Sequence, residues 1–176
     1  MTIMAPKDAS ELEDMLEFAL IYEKGPISIR YPKDVAKRMD FKKAQIKLGE
    51  PEILREGKDG VIFSLGPLSS VAIDVSKMLE DKGISVKVVN ARFVKPVDEK
   101  ALHEIAGNNK FIFSLEDAAL EGGYGSMLQE NLSMKITRFG LPDEFIPHGS
   151  REKLLDKYNL TSDKIFGMIL KIIKNG

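Results

Sequence analysis

Val61-Ile62-Phe63-Ser64-Leu65-Gly66-Pro67 is the stretch on which the fold turns. A short apolar run, closed by a Gly-Pro turn, reads as a strand buried on both faces. Ser69 or Ser70 then caps a helix with Val71, Val75, Met78 and Leu79 pointing inward, and Gly83 ends it. Ile84 to Val89 follows as another apolar strand. Strand, helix and strand at this spacing make a βαβ unit with parallel strands.

The pattern continues toward the C-terminus. Asp98 caps a helix carrying Leu102 and Ile105, and Phe111 to Leu115 is the next strand. A glycine-rich loop, a short helix around Met127 to Leu132 and a strand over Lys135 to Phe139 come after it. The end is helical, with Ile165, Ile169, Ile172 and Ile173 favouring one face. These elements predict an α/β fold: a mostly parallel sheet with helices on both faces.

Toward the N-terminus the sequence reads strand, helix, strand. Thr2 to Ala5 is an apolar run stopped by Pro6, and Ile27 to Tyr31 alternates until Pro32. Between them Ser10 and Glu13 have the spacing of a capping box, and Leu12, Met15, Leu16, Ala19 and Leu20 share a helical face. Residues 33 to 58 are rich in charge, with a short strand expected near Ile46 to Leu48 and a turn at Gly57-Lys58-Asp59-Gly60. The chain therefore divides into a β-α-β piece (1–34), a linker (35–58) and an α/β domain (59–176). So small a β-α-β piece cannot cover both faces of its own strands. It must dock on the larger domain, pair with another chain or stay mobile, and its strand edges favour dimers or larger species.

Composition bounds the chemistry. The 26 basic and 27 acidic residues nearly cancel, so no global field points to nucleic acid or an anionic membrane. The absence of cysteine excludes disulfides, thiolate nucleophiles and thiolate metal sites. With His103 and His148 the only histidines, a multi-histidine zinc site is not expected. No apolar run approaches the roughly 18 residues that span a bilayer, and the first residues do not read as a signal peptide. A cytoplasmic location is the expectation.

Five features bear on function. Glu121-Gly122-Gly123-Tyr124-Gly125-Ser126 can be an anion cradle at a helix start. It lacks Rossmann and P-loop spacing, so a tight strand-to-helix turn is the plainer reading. Glu116, Asp117 and Glu121 can bind a metal or act as acid and base, or can be caps and solvated charges. His148, in a loop between prolines and glycine, can be a general base without a named partner, and His103 reads as a surface residue. Arg30 ends a strand, where ligands of open α/β sheets gather, and its planar donor fork suits phosphate. From the residues alone an exposed salt bridge is the plainer reading of Arg30. No catalytic constellation emerges.

Three blocks carry a resemblance: Asn90-Ala91-Arg92-Phe93-Val94-Lys95-Pro96-Val97-Asp98, Glu116 to Ser126, and Gly140-Leu141-Pro142-Asp143 with Phe145 and His148-Gly149. Together they resemble the C-terminal domain of 1-deoxy-D-xylulose-5-phosphate synthases, a thiamine-diphosphate group of the transketolase superfamily. Residues 2–8 and Pro26 to Pro32 resemble late segments of that family's pyrimidine-binding domain. The resemblance implies a transferase that condenses pyruvate with glyceraldehyde 3-phosphate, releasing CO2, for isoprenoid, thiamine and pyridoxal biosynthesis. It implies that Arg30 helps grip the substrate phosphate. Where the family usually has arginine and glycine after the proline, this chain has Lys33-Asp34.

The family holds thiamine diphosphate and Mg²⁺ through a Gly-Asp-Gly motif in another domain, and this chain contains no Gly-Asp-Gly. The resemblance thus implies no catalytic, cofactor-binding or metal-binding residue here and an isolated chain without activity. Its partners would be the remainder of the synthase and a second copy in a homodimer. A stand-alone association module, or a subunit of a split transketolase or 2-oxo acid dehydrogenase, are the other readings.

Overall fold

The computed structural model describes residues 1–35, 38–41, 45–107 and 109–176. The Val61 stretch forms β4 (Gly60–Ser64), all five residues of which are buried. It lies at the centre of a five-stranded sheet, between β5 (Val86–Asn90) and β7 (Ile112–Ala119), parallel to both. Beyond β7 lies β8 (Thr137–Leu141), also parallel. At the other edge β3 (Glu52–Arg55) runs antiparallel to β5.

Alternation along β4 divides the core in two. Val61 and Phe63 pack with Leu102 of α3 (Glu99–Ala106) and with Leu128 and Leu132 of α4 (Tyr124–Leu132). Ile62 faces the other way, toward Val75 and Leu79 of α2 (Ser69–Glu80) and Ile165 and Ile169 of α6 (Ser162–Asn175). The sheet is therefore covered by helices on both faces. Each such buried side chain contributes about 1.5–3 kcal/mol, so the two layers rather than helix propensity hold the domain. A short helix, α5 (Arg151–Lys157), precedes α6.

The N-terminal piece is β1 (Thr2–Met4), α1 (Ala9–Ile21) and β2 (Ile27–Ile29), with β1 and β2 parallel. It docks on the larger domain. A strand that sequence reasoning missed, β6 (Phe93–Lys95), pairs antiparallel with β1 and completes a three-stranded sheet in the order β2-β1-β6. Met4, Met15, Ile46 and Phe93 form the small core beneath it.

Several local expectations change. The strand expected near Ile46 to Leu48 lies instead at Glu52–Arg55, because register with β5 decides its place. Helix α1 is capped by Asp8, whose carboxylate accepts the Glu11 N–H at 2.8 Å and the Met39 N–H at 2.9 Å. Ser10 and Glu13 do not form the capping box; they face the Arg38 guanidinium at 2.9 and 2.6 Å. Leu16 and Leu20, expected inside, are exposed, because the described residues leave that side of α1 largely open. Neither Ser69 nor Ser70 caps α2: a 3₁₀ turn over Gly66–Leu68 runs straight into the helix, Ser69 bonds Ser64, and Ser70 donates to the Pro67 carbonyl.

Candidate functional site

Strand β7 runs four residues past its expected end, so Glu116 and Asp117 lie in the sheet and not in a loop. Successive strand residues point to opposite faces, which separates the acidic cluster. Glu116 is fully buried, and its two carboxylate oxygens accept the Tyr124 and Gly125 backbone N–H groups at 2.8 Å each. Those are free donors at the start of α4. The glycine loop is therefore closed by the protein's own carboxylate, and the place an external anion would take is filled.

The glycines follow from this close approach. A Cβ on Gly123 would lie 2.6 Å from Glu116 Oε2, and one on Gly125 would run into the Ser114 hydroxyl. Burial pushes the Glu116 pKa up, and the Gly125 and Tyr124 N–H bonds with the nearby Arg30 and Arg138 charges act the other way without cancelling it. Burial also drives the Tyr124 phenol upward, reinforced by Glu116, so that hydroxyl stays protonated.

Asp117 faces outward and takes two arginines. Arg30 Nη2 donates to its Oδ1 at 2.6 Å and to its backbone carbonyl at 3.3 Å, and Arg151 Nη2 donates to its Oδ2 at 2.9 Å. Arg30 thus stands in the half-exposed salt bridge that its residue type suggested, joining the N-terminal piece to the larger sheet. Sequence reasoning missed Arg151, because 34 residues separate it from Asp117 and 121 from Arg30, and no local pattern links them. A cleft of about 470 Å³ opens beside Arg151, lined also by Leu12, Tyr31, Lys33 and Pro67. Arg30 does not line it.

A second polar cluster is buried at the joint. Glu11 Oε1 accepts from Arg92 Nε at 2.7 Å, Lys7 Nζ at 3.0 Å and Asn90 Nδ2 at 2.9 Å. Glu52 takes Lys7 Nζ at 2.8 Å and Arg92 Nη2 at 3.0 Å. One signal for this was legible: Lys7 and Glu11 stand four apart at the start of a helix.

The remaining candidates are not brought together. Glu121, His103 and His148 are exposed, and the last lies in the loop before α5. Among the described residues no group of three His, Cys, Asp or Glu side chains gathers to hold a metal ion. Among them too, no helix is long and apolar enough to cross a membrane.

Residues 49–165 match the family model described as transketolase, C-terminal domain. The 1-deoxy-D-xylulose-5-phosphate synthase of Lysinibacillus sphaericus (strain C3-41) is 39% identical over 171 residues, covering 93% of this chain and 27% of the relative. That of Geobacillus sp. (strain WCH70) is 40% identical over 181 residues, covering 98% and 29%. The chain thus spans less than a third of the curated relatives it matches. Among solved structures, a chain titled split gene transketolase, inactive beta4 tetramer superposes with a TM-score of 0.87 at 29% identity, covering 99% of this chain and 57% of that one.

Proposed function

We infer, since this chain belongs to the transketolase C-terminal domain family, that it is the C-terminal part of a 1-deoxy-D-xylulose-5-phosphate synthase. The complete enzyme joins pyruvate to glyceraldehyde 3-phosphate with loss of CO2. One observation carries this reading. The similarity to synthases extends over 98% of the chain, whereas the family model matches only residues 49–165. The N-terminal piece that contributes Arg30 is therefore shared with the synthases as well.

Thiamine diphosphate, when bound with Mg²⁺, supplies the carbanion and electron sink of this chemistry. The residues described here do not fit it. The glycine loop at α4, the one candidate anion cradle of the sequence, is closed by Glu116. We therefore place the cofactor in the remainder of the synthase and assign no catalytic residue to this chain. Its contribution is Arg30, a cation for the substrate phosphate at the carboxyl end of β2.

The chain also serves association. Leu20 and Ile21 on α1 are 87% and 79% exposed, and Leu16 beside them is exposed too. An apolar helix side of this kind marks a contact surface. In the complete enzyme the remainder of the polypeptide covers it; in the chain alone a second copy does.

Fragment complementation tests the reading. The purified chain with thiamine diphosphate, Mg²⁺, pyruvate and glyceraldehyde 3-phosphate should release no CO2. Adding the Geobacillus synthase truncated before its matching C-terminal portion should restore release. Turnover by the chain alone overturns its inactivity. Tight association without turnover favours a non-catalytic association module instead. A subunit of a split transketolase is the second reading, favoured by the likeness to the split-gene chain over 99% of this one. Its signature would be turnover with a transketolase partner and none with the synthase portion.

A further inference from the structure

We propose that Asp117 is a positioning residue for Arg30: anchored on one oxygen by Arg151, its carboxylate holds the Arg30 guanidinium with free donors toward a phosphate. The inference rests on the reading of Arg30 as a phosphate grip and adds what makes the grip rigid.

A half-exposed arginine ordinarily samples many rotamers, and fixing it on binding costs about 1–2 kcal/mol of side-chain entropy. Here the fixing happens on folding. The Arg30 backbone N–H is tied to the Met4 carbonyl at 2.8 Å, at the end of β2. Its far end is tied to Asp117, which lies within β7 of the other sheet. Asp117 is itself held from its second oxygen by Arg151. The arginine is thus held at its backbone and at one guanidinium nitrogen by elements of two different sheets.

The donor arithmetic leaves the guanidinium usable. Both contacts to Asp117 are made by Nη2. Nε and Nη1 have no partner among the described residues, so an oxyanion can take them without displacing Asp117. Charge favours the anion as well: two guanidinium groups around one carboxylate leave a net positive centre. The 42% exposure of the Arg30 side chain keeps that centre reachable.

Positioning and simple charge balance predict opposite signs, which makes the assignment testable. If Asp117 merely neutralises Arg30, Asp117→Asn removes a repelling charge and tightens phosphate binding. If it positions Arg30, the same change lets the guanidinium wander and weakens binding. The experiment is a titration of the 176-residue chain with inorganic phosphate, followed by the side-chain Nε–H NMR signals of its arginines. The expected result is a shift of the Arg30 signal in the unaltered chain and an affinity about tenfold lower in Asp117→Asn, equivalent to about 1.4 kcal/mol.

Equal or tighter binding by Asp117→Asn overturns the positioning role alone. Should that variant fail to fold, Asp117→Glu, which keeps the charge but displaces it by one methylene, is read by the same criterion. A signal that does not move with phosphate, together with an Arg30→Met chain that binds as well as the original, overturns the reading of Arg30 and this inference with it.

Discussion

Glu11 on α1 and Arg92 between β5 and β6 meet at 2.7 Å, both side chains almost wholly buried. They come from the two parts of the chain that the sequence separates. Around them Lys7, Glu52 and Asn90 complete a set in which two acids face two bases. Charges taken out of water are tolerable only when paired in this way. The cluster adds less to net stability than an apolar core of the same size would, but it accepts one docking geometry of the N-terminal piece. Arg92 reaches it from a left-handed backbone position, φ +58°.

Breaking that pair should be costly. Glu11→Gln leaves Lys7 and Arg92 sharing Glu52 alone, and the expected loss is about 3–5 kcal/mol. Urea unfolding of the variant beside the original chain measures it. A loss below about 1 kcal/mol would mean that water enters the cluster and the pair is not desolvated.

Neighbouring glycines of the loop should respond differently to the same change. Gly122 has φ +67° and open space around it, so Gly122→Ala meets only backbone strain, about 1–2 kcal/mol. Gly123 has an ordinary φ but no room beside Glu116 and the Ala119 carbonyl, and Gly123→Ala should cost about 3 kcal/mol by forcing α4 off its cap. Thermal melts in the reverse order would refute the capping account of the loop.

Glu116 gives a pH dependence with a definite sign. Burial raises its folded pKa above the ordinary 4.5, so above 4.5 the folded chain still holds a proton that the unfolded chain has released. Stability from this group is complete below the unfolded value and falls as pH rises through the folded one. Subtracting the stability curve of Glu116→Gln from that of the original chain should isolate a decline across that window. A rise there would instead mean that the two N–H bonds at the start of α4 outweigh burial.

Self-association should depend on α1. Replacing Leu16 and Leu20 by Glu puts charge on an exposed apolar side and leaves the core untouched, so the change in fold stability should be within about 0.5 kcal/mol. Sedimentation equilibrium should show self-association of the original chain and monomer for the variant at the same concentration. A monomeric original chain would remove the association surface from α1.

The sequence by itself determined the layering. The apolar run at Val61 to Leu65, interrupted only by Ser64, requires cover on both faces, and helix-period residues such as Val75, Leu79, Ile165 and Ile169 supply it on one of them. Asp98 as a cap and Gly83 as a helix end were legible because capping and left-handed backbone are local matters. Arg30 stood out because its residue type and strand-end position are both local. What tertiary structure decided depends on residues far apart in the chain. β6 exists because β1 is there to pair with it, and β3 lies at Glu52–Arg55 because β5 sets its register. Glu116 fills the loop that looked open to an anion, since a strand longer than expected carries its carboxylate beneath α4. Asp117 joins Arg30 to Arg151 across 121 residues of sequence, a relation that no spacing rule encodes because folding alone makes those residues neighbours.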